Sequence, residues 1–143
     1  NLIFIVGGAN FQEGALIKCE VFDINLRKTN PINFLNVKSM NHCLSVFHEI
    51  YIFKIGGMRY NLNSRKELSL DLFERYDVFA DVWEKIKIKD NNNVNSPNIT
   101  YLSYSQSLNE NSIIVFGGKN DKHEIHNLLQ KIIGRRKSSS TIS

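Results

Sequence analysis

Ile50-Tyr51-Ile52-Phe53-Lys54-Ile55-Gly56-Gly57 decides the reading of this chain, because it has one copy before it and one after it. Leu2-Ile3-Phe4-Ile5-Val6-Gly7-Gly8 precedes it, and Ser112-Ile113-Ile114-Val115-Phe116-Gly117-Gly118 follows. Each is a short run, mostly β-branched and aromatic, that stops at a glycine pair. That is how a strand ends where the backbone must adopt a conformation that a Cβ would oppose. Gly7, Gly56 and Gly117 open the three pairs, at comparable intervals along the chain. Self-similarity at a period of about 50 residues marks a repeat architecture and is to be read before any single residue.

Around these copies the chain alternates strands and links in a fixed order. After Gly8 a polar link, Ala9 to Gly14, leads to a strand over Leu16 to Asp23, a turn through Asn30, and a weaker strand that opens at Pro31 and runs through Phe34, Leu35 and Val37. Met40-Asn41-His42 is a link, Cys43 to Phe47 a strand, and His48-Glu49 a tight turn into the central stretch. The second copy repeats the order: a link from Met58 to Ser69, a strand from Leu70 to Asp77, a turn to Asp81, and an alternating strand from Val82 to Ile88. An asparagine-rich link from Lys89 to Asn98 follows, then a strand over Ile99 to Tyr104 and a turn at Leu108 to Asn111. The unit is four antiparallel strands with no helix between them.

The two copies differ in length only in their links. The interval from Gly57 to Asp77 is longer than that from Gly8 to Asp23, and the interval from Asp77 to Gly117 is longer than that from Asp23 to Gly56. With the four strands of a unit lettered a to d, the elongated links are b to c and d to a. Strands that alternate in direction put both links on the same side and leave tight turns on the other. Variable loops on a constant scaffold are where binding residues collect.

Composition sets the class and excludes little else. The chain has 143 residues, 42% hydrophobic and 22% charged, which suits one ordinary globular unit. No apolar run approaches a membrane span, so no membrane association is expected. The net charge of +4 resides beyond Asp121, where Lys122, Lys131, Arg135, Arg136 and Lys137 stand against Glu124 alone. The body before them is neutral, with 18 − 5 = 13 basic and 14 − 1 = 13 acidic side chains. A neutral body gives no nucleic-acid face. Cys19 and Cys43 lack metal-ligand spacing and read as reduced, buried thiols, which points to a reducing, cytoplasmic compartment. His123 and His126 have no third ligand nearby, and no nucleophile motif, phosphate loop or carboxylate pair stands out. No catalytic residue, metal site or cofactor is expected.

The residues resemble the kelch repeat, the four-stranded blade of a β-propeller. The likeness consists of Gly-Gly after a hydrophobic strand, then Tyr-Asp, then Trp six positions beyond the Asp, then Met in the following link. Gly56, Gly57, Tyr76, Asp77 and Trp83 match, as do the flanking pairs Gly7-Gly8 and Gly117-Gly118. The first copy departs from it: Phe22-Asp23 stands for Tyr-Asp, and Thr29 falls where Trp is expected, with Phe34 as a candidate to fill the gap. Asn41-His42 follow Met40 in place of the usual basic residue. The resemblance implies an all-β fold of antiparallel blades over residues 1–120. It also implies an incomplete propeller, since a closed ring needs at least about four blades. The missing blades belong to a longer chain of which this is a fragment, or come from self-association.

The resemblance further implies a protein-protein interaction module, binding a protein partner through the side that carries the b–c and d–a links. Arg59, Tyr60 and Arg65 are expected contacts there, and His42 sits where kelch domains that grip acidic peptides often place Arg. The alternative is part of a kelch-type enzyme, of the copper oxidase or sugar epimerase class. Past the repeats, Ile125, Leu128, Leu129, Ile132 and Ile133 predict an amphipathic helix over 121–134, with Asp121 and Glu124 as a capping box and Gly134 past its end. Residues 135–143 read as a basic, Ser-rich disordered tail, in which Arg135-Arg136-Lys137-Ser138 looks like a kinase site.

Overall fold

The computed structural model describes residues 1–61, 66–70, 72–86, 102–109, 112–119 and 129–133. In chain order the strands are β1 (Leu2–Val6), β2 (Ala9–Asn10), β3 (Gly14–Ala15), β4 (Cys19–Asp23), β5 (Lys28–Ile32), β6 (Cys43–Phe47) and β7 (Tyr51–Ile55). There follow β8 (Met58–Asn61), β9 (Lys66–Ser69), β10 (Phe73–Asp77), β11 (Val82–Ile86), β12 (Tyr104–Asn109), β13 (Ser112–Phe116) and β14 (Leu129–Ile133). All pairings are antiparallel, and there is no helix among the described residues.

Among the described residues three sheets of three or four strands carry the fold: β1-β4-β5, β11-β10-β7-β6 and β12-β13-β14. Each Gly-Gly strand lies in a different sheet, and the ladders share one register. Val6 pairs with Cys19, Ile55 with Phe73 and Phe116 with Leu129, always the residue before the glycines against the first residue of the next strand. On the other side of the central strand Cys43 pairs with Ile55, and Tyr104 with Phe116. The turns repeat as well. Asp23 Oδ1 accepts the N–H groups of Asn25 and Leu26, Asp77 Oδ1 those of Phe79 and Ala80, and the residue closing each turn, Arg27 or Asp81, has φ near +50°.

Strand alternation gives each sheet two faces, and the core lies between sheets. Val6, Cys19 and Leu35 pack with Ile52, Tyr76 and Trp83 of the second sheet. On that sheet's opposite face Cys43, Phe47, Ile55 and Phe73 pack with Ile113 and Val115 of the third. The link between the first two sheets is fastened by hydrogen bonds. Trp83 Nε1 donates to the Asn33 carbonyl at 3.1 Å, and Asp81 Oδ1 accepts from Tyr76 Oη at 2.7 Å and from the Asn33 N–H at 2.8 Å. Asn36 donates from its amide nitrogen to the Trp83 carbonyl at 3.0 Å.

Several expectations need correcting. The strand expected from Pro31 to Val37 is Lys28–Ile32 instead, because the Asp23 turn is tight and the chain returns at once. Pro31 is tolerated there because β5 is an edge strand. Thr29 is opposite Phe22 as Trp83 is opposite Tyr76, so the tryptophan position holds a threonine; Phe34, 57% exposed, does not fill it. The strand placed at Ile99 to Tyr104 is β12, starting at Tyr104, because Leu102 adopts φ +59° and gives its N–H to the Asn41 carbonyl; residues 99–101 lie outside the described residues. Leu108, expected in a turn, is in β12, which takes up a register shift between Ser107 and Asn109.

The last correction concerns the expected helix. Within 121–134, Leu129–Ile133 is a strand that takes beside β13 the place β10 takes beside β7. Leu129 follows Phe116 at the same interval as Cys19 follows Val6. The open edge of β13 offers ladder bonds that a helix there would forgo. Residues 121–128 and 134–143, with the capping box and the basic tail, lie outside the described residues.

Candidate partner-binding face

The strand directions bring the Gly-Gly turns and the links into β4, β6 and β10 to the same end of the sheets. Two of the links carry ribbons there: β2 with β3, and β8 with β9. β3 lies beside β8, so the ribbons form a joint surface. Their roots are built alike. Gly7 N–H donates to the Lys18 carbonyl as Gly56 N–H does to that of Leu72, and Leu16 N–H donates to the Gly8 carbonyl as Leu70 N–H does to that of Gly57.

Ser39 and His42 sit between the two glycine turns. Gly7 has φ +57° and Gly57 φ +104°, and a Cβ on Gly7 would lie 2.5 Å from the Ser39 carbonyl oxygen and 3.1 Å from His42 Cε1. On Gly57 it would lie 2.5 Å from Ser39 Oγ and 2.9 Å from His42 Cβ. Only glycine lets the link approach this closely. His42 Nδ1 is 3.1 Å from Ser39 Oγ, and the ring is largely enclosed. Burial, with Lys54 nearby, pushes its pKa down to about 4, so His42 is neutral near pH 7. Its position suits fastening the link to the glycine turns.

Arg59 and Tyr60 are exposed on β8, opposite Leu68 and Glu67 in the ladder, and project from alternate faces of the ribbon. Arg65 lies outside the described residues. Sequence reasoning misses one surface residue: Phe11, fully exposed at the tip of the β2–β3 ribbon. Asn10 Oδ1 accepts the N–H groups of Gln12 at 3.1 Å and Glu13 at 2.6 Å, an Asx turn that holds Phe11 outward. An aromatic inside the polar Asn10 to Gly14 link is the signal that could have found it.

A second missed feature lies beneath this end. Lys54 Nζ meets Glu74 Oε2 at 3.1 Å with neither side chain exposed, and Glu74 Oε1 accepts the Asn36 N–H at 3.0 Å. Burial lowers the Lys54 pKa, and Glu74 opposes that shift. Cys19 and Cys43 are free and buried, and burial raises the Cys19 pKa.

No family model matches the sequence, and no curated protein matches it. Solved structures do. The fold is an all-β arrangement of successive antiparallel sheets, and a structure titled "Structure of YjhT" shares it, with a TM-score of 0.73 and 10% sequence identity. The alignment covers 96% of this chain and 41% of that one, so this chain spans less than half the length of its structural neighbour. At that identity the likeness establishes fold alone.

Proposed function

We propose that the three sheets are blades of an incomplete kelch-type β-propeller, and that the chain is an interaction module binding a protein partner at the ribbon end. The repeated register of glycine pairs, ladders and Asx turns supports the first part, as does the likeness to YjhT, a kelch-type fold. The observation that carries the second is the joint ribbon surface. It presents Phe11, Arg59 and Tyr60 on hydrogen-bonded supports, and aromatic residues and Arg are the usual anchors of protein interfaces. Arg65, on the link between β8 and β9, is assigned to the same surface, and His42 is assigned a supporting role beneath it. The free thiols favour a cytoplasmic setting.

The test is site-specific photo-crosslinking in cells. A photoreactive residue at position 60 is expected to give a discrete protein adduct, abolished by Phe11→Ala with Arg59→Glu. The same probe at position 79, in a tight turn at the opposite end, is expected to give none. Equal adducts at both positions, or none at position 60, would overturn the assignment.

A further inference from the structure

The second sheet meets its two neighbours by different means. On the side of the first, Lys54 bonds Glu74, Tyr76 bonds Asp81 and Trp83 bonds the Asn33 carbonyl. The side that meets the third is less complete. Among the described residues three buried side-chain atoms have no hydrogen-bond partner: Ser45 Oγ, Ser105 Oγ and Arg75 Nε. Strand alternation turns all three into this interface. Ser45 lies between Cys43 and Phe47 on β6, Arg75 follows Phe73 on β10, and Ser105 is the ladder partner of Val115 on β13.

The two serines belong to one seam. β6 and β12 run in the same direction, since each pairs antiparallel with a strand that ends at a glycine turn on the same end of the sheets. Cys43 Sγ on β6 stands 3.4 Å from Ser103 Oγ, just before β12. Ser45 and Ser105 are each two residues further on, so they form the next rung of that seam. They are 5% and 6% exposed, and they do not bond each other. Phe47 closes the seam beyond them. Arg75 stands apart, across Phe53 in the same row, with its guanidinium held by Glu84 and the Tyr51 ring.

A buried hydroxyl that bonds nothing forfeits its hydration, and native interiors give such groups a partner from the protein or from ordered water. We infer that Ser45 and Ser105 hold one buried water molecule, which bridges β6 and β12 and ties the third sheet to the second. Each hydroxyl rotates freely to donate or accept, so the pair offers the water both kinds of bond. Buried waters take about three bonds. β6 and β12 are edge strands, and the backbone groups along their open edges can supply the third. The contact of Cys43 with Ser103 bounds the seam on one side and Phe47 bounds it on the other, which suits a single molecule of this size.

The test is a crystal structure of the 143-residue chain together with the melting temperatures of three variants. One water oxygen is expected within about 3 Å of both Ser45 Oγ and Ser105 Oγ. Ser45→Ala and Ser105→Ala are each expected to lower the melting temperature by about 2–5 °C, because the water loses one partner and holds the remaining hydroxyl less well. The double variant, with no hydroxyl left to serve, is expected to melt no lower than either single one. A seam without that water, or hydroxyls bonded directly to each other, would overturn the inference. So would single variants that each melt higher, the sign expected of a hydroxyl that bonds nothing, or losses that simply add in the double variant. Where an alanine variant fails to fold, the wild-type crystal decides alone.

Discussion

Lys54 on β7 and Glu74 on β10 are direct partners in the ladder, joined at 3.1 Å, and neither side chain reaches solvent. The pair lies on the face of the second sheet that meets the first, where Glu74 also holds the Asn36 N–H of the connecting link. Charges so enclosed tolerate each other's presence and not each other's absence. Lys54→Met or Glu74→Leu alone is expected to lower stability by about 3–5 kcal/mol, because one charge is left without its counter-ion. The double variant is expected to recover a large part of that loss. Urea denaturation of the three variants measures this, and a double variant no more stable than either single one would contradict it.

Trp83 and Thr29 occupy one register position in neighbouring sheets and differ in what they hold. Trp83 is buried between sheets, donates to the Asn33 carbonyl and packs on Tyr76 at 5.0 Å between centroids. Trp83→Ala is expected to cost about 3–5 kcal/mol, in the range for large buried aromatics. Thr29, exposed on an edge strand, is expected to tolerate Ala within about 0.5 kcal/mol. Thermal unfolding of the two variants separates these outcomes, and similar losses would contradict the placement of Trp83.

Gly57 and Gly8 have nearly the same φ, +104° and +97°, but different surroundings. A Cβ at Gly8 meets nothing within 4 Å, whereas at Gly57 it strikes Ser39 Oγ and the Met40 carbonyl. Both alanine variants incur backbone strain of about 1–3 kcal/mol. Gly57→Ala is expected to lose more, by about 1 kcal/mol or beyond, because the Ser39 link must also retreat. Equal melting temperatures for the two variants would contradict this packing.

His42 makes stability depend on pH. Its folded pKa of about 4 lies below its ordinary 6.5, so between those values the unfolded chain binds the proton first. Stability from this group is therefore complete above pH 6.5 and falls as the pH drops toward 4, by on the order of a few kcal/mol. His42→Gln is expected to flatten the profile of denaturation midpoint in that window, and the difference between wild type and variant removes the shared contribution of carboxylates. Parallel profiles would contradict the enclosure of His42.

The repeat is legible because the Gly-Gly strands carry their signal in consecutive residues, and three copies fix a register. The position of Trp83 follows from its spacing beyond Asp77. Other features depend on partners distant in sequence. Lys54 reads as an exception in an apolar strand, and its meaning requires Glu74, on the neighbouring strand at the matching ladder position. The Leu and Ile doublets at 128–133 satisfy a helical period, and over Leu129–Ile133 the free edge of β13 overrides it with a strand. His42 reads as a contact residue, but Ser39 and two glycine turns enclose it, which spacing alone does not show. Phe11 is lost among polar link residues because its exposure is set by the Asn10 turn.

The sheets stack face to face, and Trp83, the single tryptophan, reports on that stacking directly. Its indole lies between the first and second sheets, 6% exposed and hydrogen-bonded. Fluorescence of the native chain, excited at the tryptophan band, is predicted to be blue-shifted, resistant to acrylamide, and to move red in one transition on unfolding. Red emission freely quenched in a chain that retains its β circular dichroism would contradict the stack.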